Sequence, residues 1–302
     1  MSSFNARAAA DYDSRSLQHE RRMLAVYRRE TSRGDASLLQ PLANACWRAA
    51  GFEWSLHSDV ETVRRLWGEA ARALAEGFAR RRAGFDPSPD QLVLGLHFAI
   101  AARERDAFTT LAMTAPNLRD GALREARAFR GSRAHFHLAE GYALVARALV
   151  ERKPNAARAA AQSLTAAREE TDSDWWSRQF PNPLEAAWRA SEHESVCALL
   201  SAVARRLAQE NDGADDAELE DERAADSFAH TIDDTLLRLR KFVAADMNHH
   251  PKLYVWLPGV ALCALAASAA FPMQWLAERF DANAPGYERL PPELLRNPSP
   301  PA

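Results

Sequence analysis

The sequence predicts an all-α protein, an irregular, α-solenoid-like stack of helical hairpins without significant β-sheet. Three observations predict it. Alanine, arginine, leucine and glutamate dominate the 302 residues, and β-branched runs are nearly absent. Apolar residues recur at three- and four-residue spacing, and no run alternates as a half-buried strand does. Short polar turns separate these apolar stretches, as at Glu151-Arg152-Lys153-Pro154.

The first helix is expected over residues 14–30, with Leu17, Leu24 and Tyr27 on one face and Gly34 beyond its end. Leu39, Leu42, Cys46 and Trp47 mark a second, with Gly51 as its expected stop. Ser58-Asp59-Val60-Glu61 has the spacing of a capping box, in which the serine accepts from the third helical amide and the glutamate reaches back. It opens a helix with Val63, Leu66, Trp67, Ala70, Leu74 and Phe78 inward. Ser88-Pro89-Asp90-Gln91 repeats the signal with proline at the first helical position.

Hairpins follow, with turns expected near residues 105, 152 and 192. In the last, residues 183–190 turn at Ser191-Glu192-His193 into residues 196–207. The uneven spacing makes this an irregular stack, not a strict repeat. Residues 210–226 carry nine acids against Arg223 alone, and are expected as a solvated, mobile loop. A long helix follows over residues 227–246, striped by Phe228, Ile232, Leu236, Leu239 and Val243, then an apolar stretch and a proline-punctuated tail. The expected organisation is one all-α domain over 1–302. Within it lie N-terminal helices (1–85), hairpins (86–209), the acidic loop (210–226) and C-terminal helices with the Pro-rich tail (227–302).

Composition narrows the function classes. With 47% hydrophobic and 26% charged residues the chain reads as an ordinary soluble protein. A net charge of −3 exerts no global pull toward nucleic acid. The N-terminal arginines Arg15, Arg21, Arg22, Arg28, Arg29 and Arg33 alternate with glutamates and lack interleaved aromatics, so no nucleic-acid partner is expected. Cys46, Cys197 and Cys263 lie far apart in apolar patterns, which predicts three buried thiols in a reducing compartment. The first residues have no apolar core of a signal peptide. The uncharged stretch 253–276 is the membrane candidate, but Pro258 and Pro272 enclose just thirteen residues. Such a helix is ~20 Å long, against ~30 Å of hydrocarbon. A buried core helix, no membrane partner and a cytoplasmic location are therefore expected.

No phosphate-binding glycine loop, nucleophile elbow or zinc-ligand spacing is present. His135 and His137 diverge on a helix, and His249-His250 stands before Pro251 without a nearby carboxylate, so no metal site is expected. The adjacent pairs Asp233-Asp234 and Glu169-Glu170 read as solvated faces. No catalytic residue and no cofactor are expected. Two features point to partner binding instead. Adjacent Trp175 and Trp176 cannot both face one core direction, which predicts either an exposed interface anchor or that both pack under the loop ending at Pro183. Asp215, Asp216, Glu220 and Asp221 either supply a field that steers a basic partner or belong to a plain solvated linker.

The C-terminal region adds a resemblance. "YVWLPGVALCALA" followed by "YERLPPELL" resembles the immunity protein 49 family of bacterial polymorphic-toxin systems. The matching positions are Leu257, Pro258, Leu262, Leu265 and Ala266, then Tyr287, Leu290, Pro291 and Leu294. This chain has "SAAFPMQW" where family members often carry a glycine turn. The resemblance implies an all-α cytoplasmic protein that binds and neutralises a cognate secreted toxin, without catalysis. The competing expectation is a helical-repeat scaffold or adaptor for another protein. An all-α enzyme would instead require a deep pocket with convergent polar groups.

Overall fold

The computed structural model describes residues 3–80, 88–114, 133–171, 173–209, 217–246, 250–269, 274–282, 284 and 286–295. These residues form thirteen α-helices and three 3-10 turns, with no strand among them. The helices are α1 (Ser3–Ser32), α2 (Leu39–His57), α3 (Val60–Arg80), α4 (Pro89–Ala102), α5 (Arg105–Ala112), α6 (Arg133–Glu151) and α7 (Pro154–Glu169). They continue with α8 (Ser173–Gln179), α9 (Pro183–Gln209), α10 (Ala217–Asp246), α11 (Leu257–Ser268), α12 (Gln274–Asp281) and α13 (Pro292–Leu295).

From α1 to α4 each helix packs on the next, then α4 on α6, α6 on α7, α7 on α9 and α9 on α10. Helix α11 returns into the interior, against α4 and α9. Its sequence dictates this. The helix is apolar all round, so no single face can be turned to water and every side must be covered. Val260, Leu262, Cys263 and Leu265 are all buried, as the sequence predicts, while Phe271 and Pro272 lie outside the described residues. By length and composition Pro251–Ser268 passes for a membrane span, yet 61% of that window is buried inside the fold.

The two segments that carry the family resemblance meet here. The backbone N–H of Trp256 donates to the Arg289 carbonyl at 2.7 Å, and the Arg289 guanidinium donates to the Leu253 carbonyl. Tyr287, Leu290 and Leu294 are buried, and α13 packs on α11. Asp233, read from sequence as part of a solvated pair, is a fastener instead. It accepts from Arg279 at 2.9 Å and from the Tyr287 hydroxyl at 2.8 Å, tying α12 and the tail to α10.

Four local expectations are corrected. Gly51 lies inside α2, not at its end. A Cβ there would stand 1.9 Å from the Pro251 carbonyl oxygen, so the glycine serves close approach of the 3-10 turn Pro251–Leu253. The N-cap of α3 is Asp59, whose carboxylate accepts from the amides of Glu61 and Thr62 at 3.1 Å, because Ser58 is left-handed (φ 50°) and closes α2. The box at Ser88 forms as expected, with both bonds at 3.3 Å. The acidic segment is helical from Ala217 onward, in α10, rather than a loop throughout. Its run of Ala, Leu and Glu has high helix propensity, and acids are favoured at a helix N-terminus.

The fourth correction matters most for function. Helix α9 runs unbroken from Pro183 to Gln209, with no turn at Ser191-Glu192-His193. These polar residues tolerate a helix interior because neighbouring elements satisfy them. Ser191 Oγ donates to Asp234 at 2.7 Å, Ser195 Oγ to the Thr231 carbonyl at 3.0 Å, and Glu192 accepts from the Trp256 indole at 2.7 Å.

Candidate functional site

A cleft of about 640 Å³ opens between α2, α4, α6, α9, α10 and the segment leading into α11. Unbroken α9 supplies Glu185, Trp188, Arg189, Glu192, His193 and Val196 to its wall, at helical spacing. Val93, Leu94 and His97 come from α4, Leu239, Phe242 and Val243 from α10, and Trp47 from α2. His250, Lys252, Leu253, Trp256 and Pro258 complete it. The stretch that carries the resemblance is thus not merely core, because its N-terminal shoulder faces the cleft. Asp90 and His250 are exposed at the rim, whereas His97, Trp188, Val196, Leu239 and Trp256 are buried at the base.

The polar groups fall into pairs with a few left over. Arg189 reaches Glu192 at 3.2 Å, lies 3.9 Å from Glu185 and stacks 4.1 Å over the Trp188 ring. Asp90 faces His135 at 3.2 Å. The Lys252 ammonium donates to Asn44 Oδ1 at 3.0 Å and sits 4.4 Å over the Trp47 ring. Three buried nitrogens of lining residues lack a hydrogen-bond partner among the described residues: Arg189 Nε, Trp188 Nε1 and His97 Nε2.

Two histidines here are uncharged at neutral pH. Burial pushes His97 down to about 3. Burial also pushes His193 down to about 4, partly offset by the Ala167 carbonyl, to which its Nε2 stands at 3.2 Å. A carbonyl only accepts, so Nε2 carries the proton. Cys197 Sγ is 3.6 Å from the same nitrogen. This is not an activated thiol pair. Burial raises the Cys197 thiol to about 12 while the imidazole is lowered, the reverse of a thiolate–imidazolium couple. Cys46 and Cys263 are likewise free, buried and raised by burial.

The buried neutral imidazoles make stability acid-sensitive. An unfolded histidine takes up a proton near pH 6.5, whereas these two resist until about 3 and 4. Between those values the unfolded state binds more protons, so stability falls as pH drops below about 6.5. Each contributes at most about 1.4 kcal/mol per pH unit. Denaturant titrations from pH 7 to 5 should show His97→Phe losing less stability than the wild type; equal losses would count against this assignment.

The residues first nominated for partner binding are placed differently. Trp175 and Trp176 are both 8% exposed, so neither is an exposed anchor. Helix α8 packs on α9, and His135 of α6 also meets its indoles, so side chains 100° apart on it both find cover. The indoles meet edge to face at 4.6 Å, with His135 5.2 Å from Trp175 and Phe180 stacked on Trp176 at 6.2 Å. Asp215 and Asp216 lie outside the described residues, and Glu220 and Asp221 fall in the first turns of α10. His249 is also outside, and among the described residues no three His, Cys, Asp or Glu side chains group as metal ligands.

Sequence reasoning passed over Arg189, Glu192, Trp188 and Lys252. The usable signal was the absence of glycine or proline between residues 184 and 208, which favours one continuous helix over a turn. Comparison with protein-family models, curated proteins and solved structures finds no match to this chain.

Proposed function

We propose that this chain is a helical immunity protein that binds a cognate secreted bacterial toxin in the cytoplasm and neutralises it by covering its active site. One observation carries the reading. The segments that resemble immunity protein 49, around Leu257–Ala266 and Tyr287–Leu294, pack as one unit, and their upstream shoulder lines the cleft through Lys252, Leu253 and Trp256. The reading needs binding and no chemistry. With both tryptophans buried, electrostatic steering rests on the acids that precede and open α10.

Co-expression with a toxin candidate encoded beside this gene is the test. Growth should be rescued and a stable complex should co-purify. Neutralising Asp215, Asp216, Glu220 and Asp221 together should slow association at low salt and flatten its salt dependence. Absence of both rescue and complex would sink the proposal, and a complex with an unrelated protein would favour the scaffold reading.

A further inference from the structure

The Lys252 end of the cleft carries a charge that the described chain does not balance. No carboxylate among the described residues stands within ion-pair distance of this half-buried ammonium, and Asn44 and Trp47 are its neighbours. The charged groups facing it come from three elements. From α2, Arg48 is held by Glu20 of α1 at 2.7 and 3.0 Å; from α9 comes Arg189; and His250 precedes it. Burial first, then Arg48 and Arg189, bring the ammonium down from 10.5 to about 8, and Glu20 offsets them least. Holding an unpaired cation out of water costs stability unless something else compensates it.

Two nitrogens of residues in the cleft wall, Arg189 Nε and Trp188 Nε1, are buried without a hydrogen-bond partner among the described residues, and Arg189 Nε stands 3.9 Å from Glu185. The cleft is otherwise largely apolar, with Trp47, Val93, Leu94, Leu239 and Phe242. At about 640 Å³ it lies within the ~300–1,000 Å³ span of small-ligand sites.

We propose that this cleft binds a single carboxylate carried on an aromatic or aliphatic body. Lys252 provides the charge, and the body lies among Trp47, Leu94 and Phe242. One unpaired ammonium matches one negative charge. A phosphate dianion is disfavoured, because Glu185, Glu192 and Asp90 line the same cleft. The carboxylate can arrive on a free small acid or at the C-terminus of a peptide, and the two are separable by experiment. The proposal stands apart from the toxin reading, since its test uses no toxin.

The full-length protein is titrated calorimetrically with indole-3-propionate, its amide, and a short peptide ending in tryptophan with a free or amidated C-terminus. At least one free acid should bind, and its amide should bind at least roughly tenfold more weakly. Affinity should fall about tenfold per pH unit above pH 8, as the ammonium loses its proton in the unliganded protein. Lys252→Met keeps the stem and should weaken the acid by roughly 10- to 100-fold, with an unchanged or higher melting temperature, and Lys252→Arg should restore part of the affinity. If Lys252→Met does not fold, the acid–amide comparison and the pH profile of the wild type decide. The tighter-binding acid identifies the source. The proposal is overturned if neither acid binds, if amide and acid bind alike, or if a folded Lys252→Met binds the acid unchanged.

Discussion

Trp188→Ala should lower unfolding stability by about 3–5 kcal/mol. The side chain is 2% exposed, stacks on Phe242 of α10 at 5.4 Å and supports Arg189 from below. Truncation leaves a cavity between two long helices that cannot collapse without shifting one of them. It also removes the ring over which Arg189 is held. Trp188→Phe separates packing from hydrogen bonding. It keeps an aromatic ring on Phe242 and deletes an indole N–H that has no hydrogen-bond partner among the described residues. Losing an unsatisfied buried donor offsets part of the lost area, so this variant should cost less than about 1.5 kcal/mol. Urea denaturation of the three proteins measures both differences. Equal costs for Ala and Phe would show that the indole N–H, not the packed ring, carries the contribution of Trp188.

Leu262→Ala should cost about 2–5 kcal/mol. Leu262 lies midway along α11 and is fully buried. Because α11 sits between α4 and α9 and under α13, a cavity there has packed helices on several sides. The cost belongs toward the upper part of that range if the surrounding helices cannot move in. Leu237→Ala, on α10 and 40% exposed, is the matched control and should stay within about 0.5 kcal/mol. A membrane-spanning Leu262 would give no such contrast in aqueous denaturant. A midpoint shift for Leu262→Ala no larger than the control's would therefore contradict the buried placement.

Helix content and the inward stripes were legible from residue spacing. Val63, Leu66, Trp67, Ala70, Leu74 and Phe78 are all buried, as are Phe228, Ile232, Leu236 and Leu239. Their periodicity is a local property, set by the 3.6-residue turn, and needs no knowledge of what each helix packs against. The cleft was not legible in the same way. Its polar lining on α9 looks like a turn when only the chain neighbours of Ser191, Glu192 and His193 are considered. The groups that satisfy them are distant in sequence: Asp234, Trp256 and Ala167. The cover over Trp175 and Trp176 is likewise tertiary, supplied by His135 of α6 and by α9.

By itself, then, the sequence determined an all-α chain, its apolar stripes, its three buried thiols and a proline-bounded core helix. It also carried the resemblance to an immunity family through an apolar motif. Only the tertiary structure decided that the shoulder of that motif, with Lys252 and Trp256, meets the middle of α9 to form a cleft. The physical reason is range. Helix periodicity is written between residues three and four apart, whereas a site is made by side chains such as Asn44 and Lys252, 208 positions apart, whose meeting depends on how every intervening helix packs.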